Sequence, residues 1–342
     1  MSIGTIHRSD TRFRQSRGNK MTLKEAYEYG VEKLQESGIE DAKQDSFYLL
    51  EFVTGVDRGQ YYAMNQKEIS PDEQREYLAL IKERSMRIPL QHLIGSTEFM
   101  GLSFQVNPHV LIPRQDTELL VELALEKIEE ISQKITLEEP RILDMCTGSG
   151  CILISILHYA TKEFPRIKGV GVDISPKALE VAQENARNNG LRVMKLNSSI
   201  SVEEQGHYNE KSQEPQITLV ESDLFARLDQ KEKVHLIVSN PPYIPTKEIE
   251  GLEEEVRDHD PILALDGRED GLYYYRKIIE ESPKYLTKDG FLMVECGWNQ
   301  GEAVSQIMIE KGFSDVNKIK DLNGLDRVVV GRSIRVKLAR LT

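Results

Sequence analysis

From Arg141 onward, short apolar runs alternate with helical segments, and this alternation constrains the fold more than any other feature of the chain. Ile142–Met145, Gly169–Val172, Ile217–Val220, Leu236–Ser239 and Phe291–Glu295 read as strands, followed by two more near Val316–Ile319 and Arg327–Val330. Runs this apolar need cover on both faces, so the expectation is an α/β fold with a parallel sheet between layers of helices. Open sheets of that kind bind ligands outside the carboxyl ends of their strands. The residues that follow each strand are therefore the ones to read for chemistry.

Upstream the pattern is helical. Leu23, Ala26, Tyr27 and Leu34 recur at helix spacing, and Phe47, Leu49, Leu50 and Val53 form a second apolar cluster ending at Gly55. Ser70-Pro71-Asp72-Glu73 is a capping box with proline at the first helical position; it starts a helix through Tyr77, Leu80 and Ile81 that Pro89 is expected to stop. Residues 1–20 read as a flexible extension, 21–88 as a small helical domain, and 89–112 as a linker with strand character and a β-hairpin turning at Gly95 and Gly101. Gln115 to Ser132 reads as an amphipathic helix. The α/β domain runs from 113 to 333, with a polar insert at 196–216 and a tail at 334–342.

Charge and cysteine content narrow the function classes. The formal charge is −12; residues 1–20 hold five basic side chains against Asp10, a net +4, which leaves −16 for the rest. So acidic a body argues against non-specific binding to a phosphate backbone and suits a basic protein partner better. Cys146, Cys151 and Cys296 are too few and too unevenly spaced for a disulfide framework or a zinc site, so no metal is expected and a reducing cytoplasm is the default compartment. No apolar run approaches 18 residues, and the first twenty lack the apolar stretch of a secretory signal.

Three strand ends carry ligand-compatible residues. Asp144-Met145-Cys146-Thr147-Gly148-Ser149-Gly150 runs from a strand through a tight glycine turn into a helix, where backbone and free N–H groups can approach a ligand. It lacks the third glycine of a dinucleotide fingerprint, and such turns also occur as plain strand–helix connections. Asp173, after the next strand, is placed to accept both hydroxyls of a ribose; its other reading is a cap for the helix begun at Ser175-Pro176, for which Ser175 is the better candidate. At the third, Asp223 is a candidate for an adenine amino group and Leu224 for packing on the ring.

The fourth strand ends in Asn240-Pro241-Pro242-Tyr243. An asparagine carbonyl accepts from a neutral NH2 group without protonating it. Proline sets its own φ and restricts the residue before it, so Asn240 and Pro241 present fixed acceptors. The arrangement suits an amide or ring amine attacking an activated methyl; a rigid turn is its bland reading.

Together these residues resemble the class I S-adenosylmethionine-dependent methyltransferases and, more closely, the HemK-type enzymes that methylate the glutamine of the Gly-Gly-Gln motif in peptide chain release factors. The resemblance rests on Pro89 to Gly95, Val110 to Glu118, Asp144 to Cys151, Ile237 to Ile244, Asp270-Gly271-Leu272-Tyr273 and Asp326-Arg327-Val328-Val329, and spans nearly all of 21–332. It implies a Rossmann-like seven-stranded sheet and an N-terminal domain that helps hold the release factor. It also implies that Cys146, Thr147, Gly148, Ser149 and Gly150 wrap the methionine part of S-adenosylmethionine, that Asp173 takes the ribose, and that Leu224 lies on the adenine. Asn240 then serves cofactor and target, with Pro241, Pro242 and Tyr243 around the glutamine amide. Cys146 and Arg268 stand where the family usually has glycine, Gln115 replaces a proline, and the 196–216 insert is long.

The reading expects a monomeric cytoplasmic enzyme, with no membrane and no direct nucleic acid. Its rivals are a glutamine methyltransferase of a ribosomal protein, an amino methyltransferase of DNA or RNA bases, and a non-enzymatic binder of the translation machinery. A base methyltransferase would want a basic domain and a flipped target base.

Overall fold

A computed structural model describes residues 20–134, 137, 139–195 and 215–334. Most of the N-terminal extension, the polar insert and the tail lie outside the described residues. The chain divides into two compact units, Met1–Ile94 and Gly95–Thr342.

The first unit is helical, with α1 Leu23–Glu36, α2 Ala42–Thr54, α3 Arg58–Met64, α4 Pro71–Ser85 and α5 Leu90–Ile94. Full capping boxes begin three of them, at Thr22/Glu25, Asp57/Gln60 and Ser70/Glu73. Each returns two otherwise unpaired backbone donors to a hydrogen bond. Gly30, in the middle of α1, is required by packing: a Cβ there would stand 2.1 Å from the Tyr77 hydroxyl and 2.5 Å from Ser46 Oγ. Arg84 and Asp45 form an ion pair at 2.7 Å inside the unit, both nearly sealed from solvent. The strand character expected from Leu90 is not found before Ser96. Pro89 instead opens α5, its carbonyl accepting from His92 and Leu93, because a residue without an N–H loses nothing at a helix start.

The second unit opens with a hairpin, β1 Ser96–Phe99 and β2 Leu102–Gln105, turned by Met100 and Gly101 with φ of 52° and 70°. Both central residues in the left-handed region match the twist of the strands they join. A 3-10 turn, Gln115–Thr117, leads into α6 Glu118–Lys134. The sheet strands are β3 Arg141–Met145, β4 Lys168–Asp173, β5 Arg192–Lys195, β6 Gln216–Glu221, β7 Val234–Ser239, β8 Leu286–Glu295, β9 Phe313–Lys320 and β10 Asp326–Ser333. Between them lie α7 Cys151–Ala160, α8 Pro176–Asn188, α9 Glu254–His259, α10 Ile262–Leu265, α11 Tyr273–Glu281 and α12 Gly301–Glu310.

The order across the sheet is β5-β6-β4-β3-β7-β8-β10-β9, parallel as far as β8, with β10 antiparallel to both its neighbours. The seven strands read from the sequence are all present, and the fold is the class I methyltransferase sheet. An eighth, β5, adds a parallel edge against β6. It is four residues long and leads into the polar insert, too short for a periodic signal. Helix α7 is buried almost all round, and Leu153 and Leu157 press on β4 so closely that a Cβ on Gly169 would meet them at 2.8 and 2.9 Å. Chain order reverses between β3 and β7, which opens a crevice at the carboxyl end of the sheet. No helix among the described residues is long and apolar enough to cross a membrane.

Candidate active site

A cavity occupies that crevice. It is lined by the turn Met145 to Ser149, by Asp173 to Ser175, by Ser222 to Leu224, and by Asn240 and Pro242. Pro108 to Leu111, Pro113, Arg114 and Thr117 line it from before the sheet; Leu263, Ala264, Arg268 and Tyr274 do so from the segment after β7. Of the residues singled out in the sequence, Cys146, Thr147, Gly148, Ser149, Asp173, Asp223, Leu224, Asn240 and Pro242 reach the cavity. Gly150, Pro241 and Tyr243 do not line it.

The turn after β3 is held from two sides. Thr147 donates its hydroxyl to Asp144 Oδ2 at 2.6 Å and its backbone N–H to the Val172 carbonyl at 2.9 Å. Gly148 donates its N–H to Asp173 Oδ2 at 2.8 Å, while Asp173 Oδ1 accepts from the Ser175 N–H at 2.9 Å. A carboxylate has about four acceptor sites, so Asp173 can still accept from a ligand after making both bonds. Ser175, not Asp173, caps α8 through its bond from the Ala178 N–H. Gly150 starts α7 with φ of 81°, and a Cβ there would sit 2.8 Å from Ile154 Cδ1.

Cys146 has φ of 63° and Arg268 φ of 71°. Both occupy the left-handed region, where a Cβ crowds the following carbonyl and glycine is favoured. The two departures from the resembling family thus fall where the backbone itself asks for glycine. The Arg268 guanidinium turns back to Asp266 at 3.2 Å.

Asn240 follows β7. Its Nδ2 donates to Thr117 Oγ1 at 3.4 Å, which leaves Oδ1 as the acceptor available to the cavity. The residues after it are clamped: the Tyr243 carbonyl accepts from Gln300 Nε2 at 2.8 Å, the Ile244 N–H donates to the Leu265 carbonyl at 3.0 Å, and a Cβ on Gly267 would stand 2.7 Å from the Tyr243 backbone. Burial pushes the Tyr243 phenol up to about 12, so it remains neutral. Arg114 reaches Asp260 at 2.9 Å beside the cavity.

Asp173 and Asp223 line the cavity together with Arg114 and Arg268, and Asp144 lies behind the turn. Burial pushes Asp144 up to about 7 and raises Asp173, with the second carboxyl adding to the first. Asp144 Oδ1 is buried without a hydrogen-bond partner beneath the turn. A glycine turn and a ribose-compatible carboxylate, with Asp223 on the same wall, fit a nucleoside ligand such as S-adenosylmethionine. Among the described residues, no group of three or more His, Cys, Asp and Glu is placed to hold a metal ion. Sequence reasoning missed two residues at this end of the sheet. Thr117 is the partner of Asn240, and Glu295 is a buried carboxylate closing β8. A charged residue at the end of the apolar run Phe291–Val294 is the signal that marks the second.

Comparison with known proteins gives the following similarities. Residues 25–95 match the PrmC N-terminal domain family and residues 138–321 a methyltransferase domain family. The chain is 39% identical to the release factor glutamine methyltransferase of Geobacter sulfurreducens over 311 residues, 91% of this chain and 96% of that one. It is 33% identical to the namesake protein of Fusobacterium nucleatum over 94% of this chain and 82% of that one. A crystal structure of a release factor-specific protein-(glutamine-N5) methyltransferase from Alicyclobacillus acidocaldarius is 27% identical, covering 68% of this chain and 99% of that one; its TM-score of 0.35 is too low to bear on the fold.

Proposed function

The chain belongs to the release factor glutamine methyltransferases, and on that premise we propose that it transfers a methyl group from S-adenosylmethionine to the side-chain amide nitrogen of the glutamine in the Gly-Gly-Gln motif of peptide chain release factors, supporting translation termination. The observation that carries the reading is Asn240 at the end of β7, aimed into a cavity that also holds Asp173 and the Cys146–Ser149 turn.

S-adenosylmethionine would supply, when bound, an electrophilic methyl on a sulfonium, with S-adenosylhomocysteine as the thioether product once the S–CH3 bond is broken. Cys146, Thr147, Gly148 and Ser149, with Gly150 shaping the turn, hold its methionine part, Asp173 the ribose hydroxyls, and Leu224 the adenine face. An amide nitrogen is a weak nucleophile, because its lone pair is delocalised into the carbonyl, and no ordinary side chain deprotonates it at neutral pH. The Asn240 Oδ1 and the Pro241 carbonyl accept the two amide hydrogens of the target. That orients the nitrogen toward the methyl and stabilises the positive charge that grows on it. Since the backbone that carries these acceptors is fixed by two prolines and the Tyr243–Gln300 clamp, little backbone reorganisation accompanies the reaction. The surplus proton leaves to water after transfer. Pro242 bounds the amide, and Tyr243 backs the motif and keeps water out.

The partner is a class I release factor, met by an acidic protein surface and held in part by the helical unit. The reaction belongs in the cytoplasm, where free thiols such as Cys146, Cys151 and Cys296 persist. The test is transfer of labelled methyl from S-adenosylmethionine to purified release factor, with the target glutamine substituted as control. Label that disappears with the substitution supports the assignment. Label on a ribosomal protein or on RNA instead would keep the methyltransferase and replace the substrate.

A further inference from the structure

Beside Asn240 lies a carboxylate that the mechanism above does not use. Glu295 is the last residue of β8 and is 2% exposed. The β7–β8 register pairs Ser239 with Val294, so the next residues, Asn240 and Glu295, leave the sheet side by side. On its other side Glu295 is opposite Val328 of β10. Its Oε2 is buried with no hydrogen-bond partner, although a buried carboxylate ordinarily collects donors. The Thr117 hydroxyl and the Asn240 amide both favour its charged form, acting on the carboxyl without closing a bond to that oxygen.

An asparagine amide shows a carbonyl at one edge and an NH2 at the other, and a flip exchanges them. What sits on the buried edge decides which one faces the ligand. The Asn240–Thr117 contact is long, 3.4 Å, and a hydroxyl can donate as well as accept, so Thr117 alone does not settle the choice. An ionised carboxylate only accepts. We propose that Glu295 is a positioning residue that, with Thr117, holds the Asn240 NH2 on the buried side and thereby turns the Asn240 carbonyl oxygen to the methyl-accepting amide. The inference rests on the glutamine-methylation reading, because only an NH2-bearing substrate requires an acceptor there.

The charge of Glu295 then matters. A protonated Glu295 is a donor; it can bond the Asn240 carbonyl oxygen and turn the NH2 into the cavity, opposite the NH2 of the target. Burial pushes Glu295 up to about 7, with Asp116 adding to the rise, while Thr117, Arg327 of β10 and Asn240 pull it down. Tyr243, Tyr275, Cys151 and Cys296, which also feel this carboxyl, are all raised above their ordinary values and stay neutral. Glu295 is the member of this group whose charge changes near neutral pH.

The experiment compares wild type with Glu295→Gln in the full chain, using S-adenosylmethionine and purified release factor. The amide of the variant no longer acts as a pure acceptor. The expected result is a kcat lowered about tenfold or more with KM for S-adenosylmethionine within about twofold, and loss of the acidic limb that the wild-type kcat shows near pH 7. An unchanged kcat, or a loss that leaves the acidic limb in place, would overturn the inference. Should Glu295→Gln not fold, the wild-type profile decides. A flat kcat from about pH 5.5 to 8.5 overturns the inference, and an acidic limb that persists in Asp144→Asn supports it. Wild type that transfers no methyl to the glutamine would overturn the functional reading and this inference together; an active wild type matched by Glu295→Gln would overturn this inference alone.

Discussion

Asp173 accepts the backbone N–H of Gly148 at 2.8 Å, so the carboxylate that ends the second strand of the motif also holds the glycine turn that follows the first. The two halves of the proposed nucleoside site are therefore one mechanical unit, and a substitution at either is expected to be felt at both.

Asp173→Ala removes this acceptor together with the one that the Ser175 N–H uses. Hydrogen bonds to a charged group contribute about 1.5–3 kcal/mol each, so affinity for S-adenosylmethionine is expected to fall at least tenfold by calorimetry. Asp173→Asn, which keeps one acceptor, should fall between wild type and alanine. Equal affinity in all three would remove Asp173 from the site.

Asn240→Asp exchanges the donor that faces Thr117 for an acceptor and sets a second negative charge beside Glu295. Turnover should fall about a hundredfold or more, with the melting temperature little changed. A variant that keeps near wild-type turnover at saturating cofactor would show that the amide does not orient the target.

Cys146 sits at φ of 63° in a turn where glycine costs nothing. Cys146→Val, β-branched in the left-handed region, should destabilise the fold by about 1–2 kcal/mol. Cys146→Gly should stay within about 1 kcal/mol of wild type, since relief of strain is offset by greater freedom of the unfolded chain. Denaturant titrations with and without S-adenosylmethionine check both. A large loss in the glycine variant would mean that the thiol's packing, not the backbone, maintains the turn.

Asp144 and Glu295 give stability a pH dependence of definite sign. Both carboxyls are pushed up to about 7 by burial, from ordinary values of 3.8 and 4.5. The folded chain then binds more protons than the unfolded one, so their contribution is full below about pH 4, declines as pH rises, and is gone above about pH 7. The amount is on the order of a few kcal/mol each. Unfolding free energies measured from pH 4 to 8 should show a shallower decline in Asp144→Asn than in wild type. Parallel curves would mean that Asp144 is ionised throughout.

In the helical unit, Asp45→Ala leaves the buried Arg84 guanidinium without its carboxylate. Breaking such a pair costs about 3–5 kcal/mol, and the loss should appear as faster hydrogen exchange in α1, α2 and α4. Replacing both residues by apolar ones of similar volume should recover much of it. Unchanged exchange in the single variant would show that the pair is dispensable.

Much of this site is legible along the chain because it is local. The Ser70–Glu73 box, the Cys146–Gly150 turn and the strand-end residues Asp173, Leu224 and Asn240 each declare themselves within a few residues, through caps, glycines and strand periodicity. Other features are not local. Leu90–Ile94 carries no helix signal strong enough to outweigh the strand-like stretch after it, and four residues of β5 are too few to show alternation. Gly150, Pro241 and Tyr243 belong to the right motifs but are not among the residues lining the cavity, and no motif states which of its members will be.

By itself the sequence determined the fold class and which candidate residues stand at each strand end, because apolar period and turn residues act over short range. Only the tertiary structure decided which strand ends meet. Thr117 lies 123 residues from Asn240, and Glu295 reaches it through the pairing of β8 with β7. That pairing follows from how whole helices and strands bury their apolar faces together, and no segment of the chain encodes it alone.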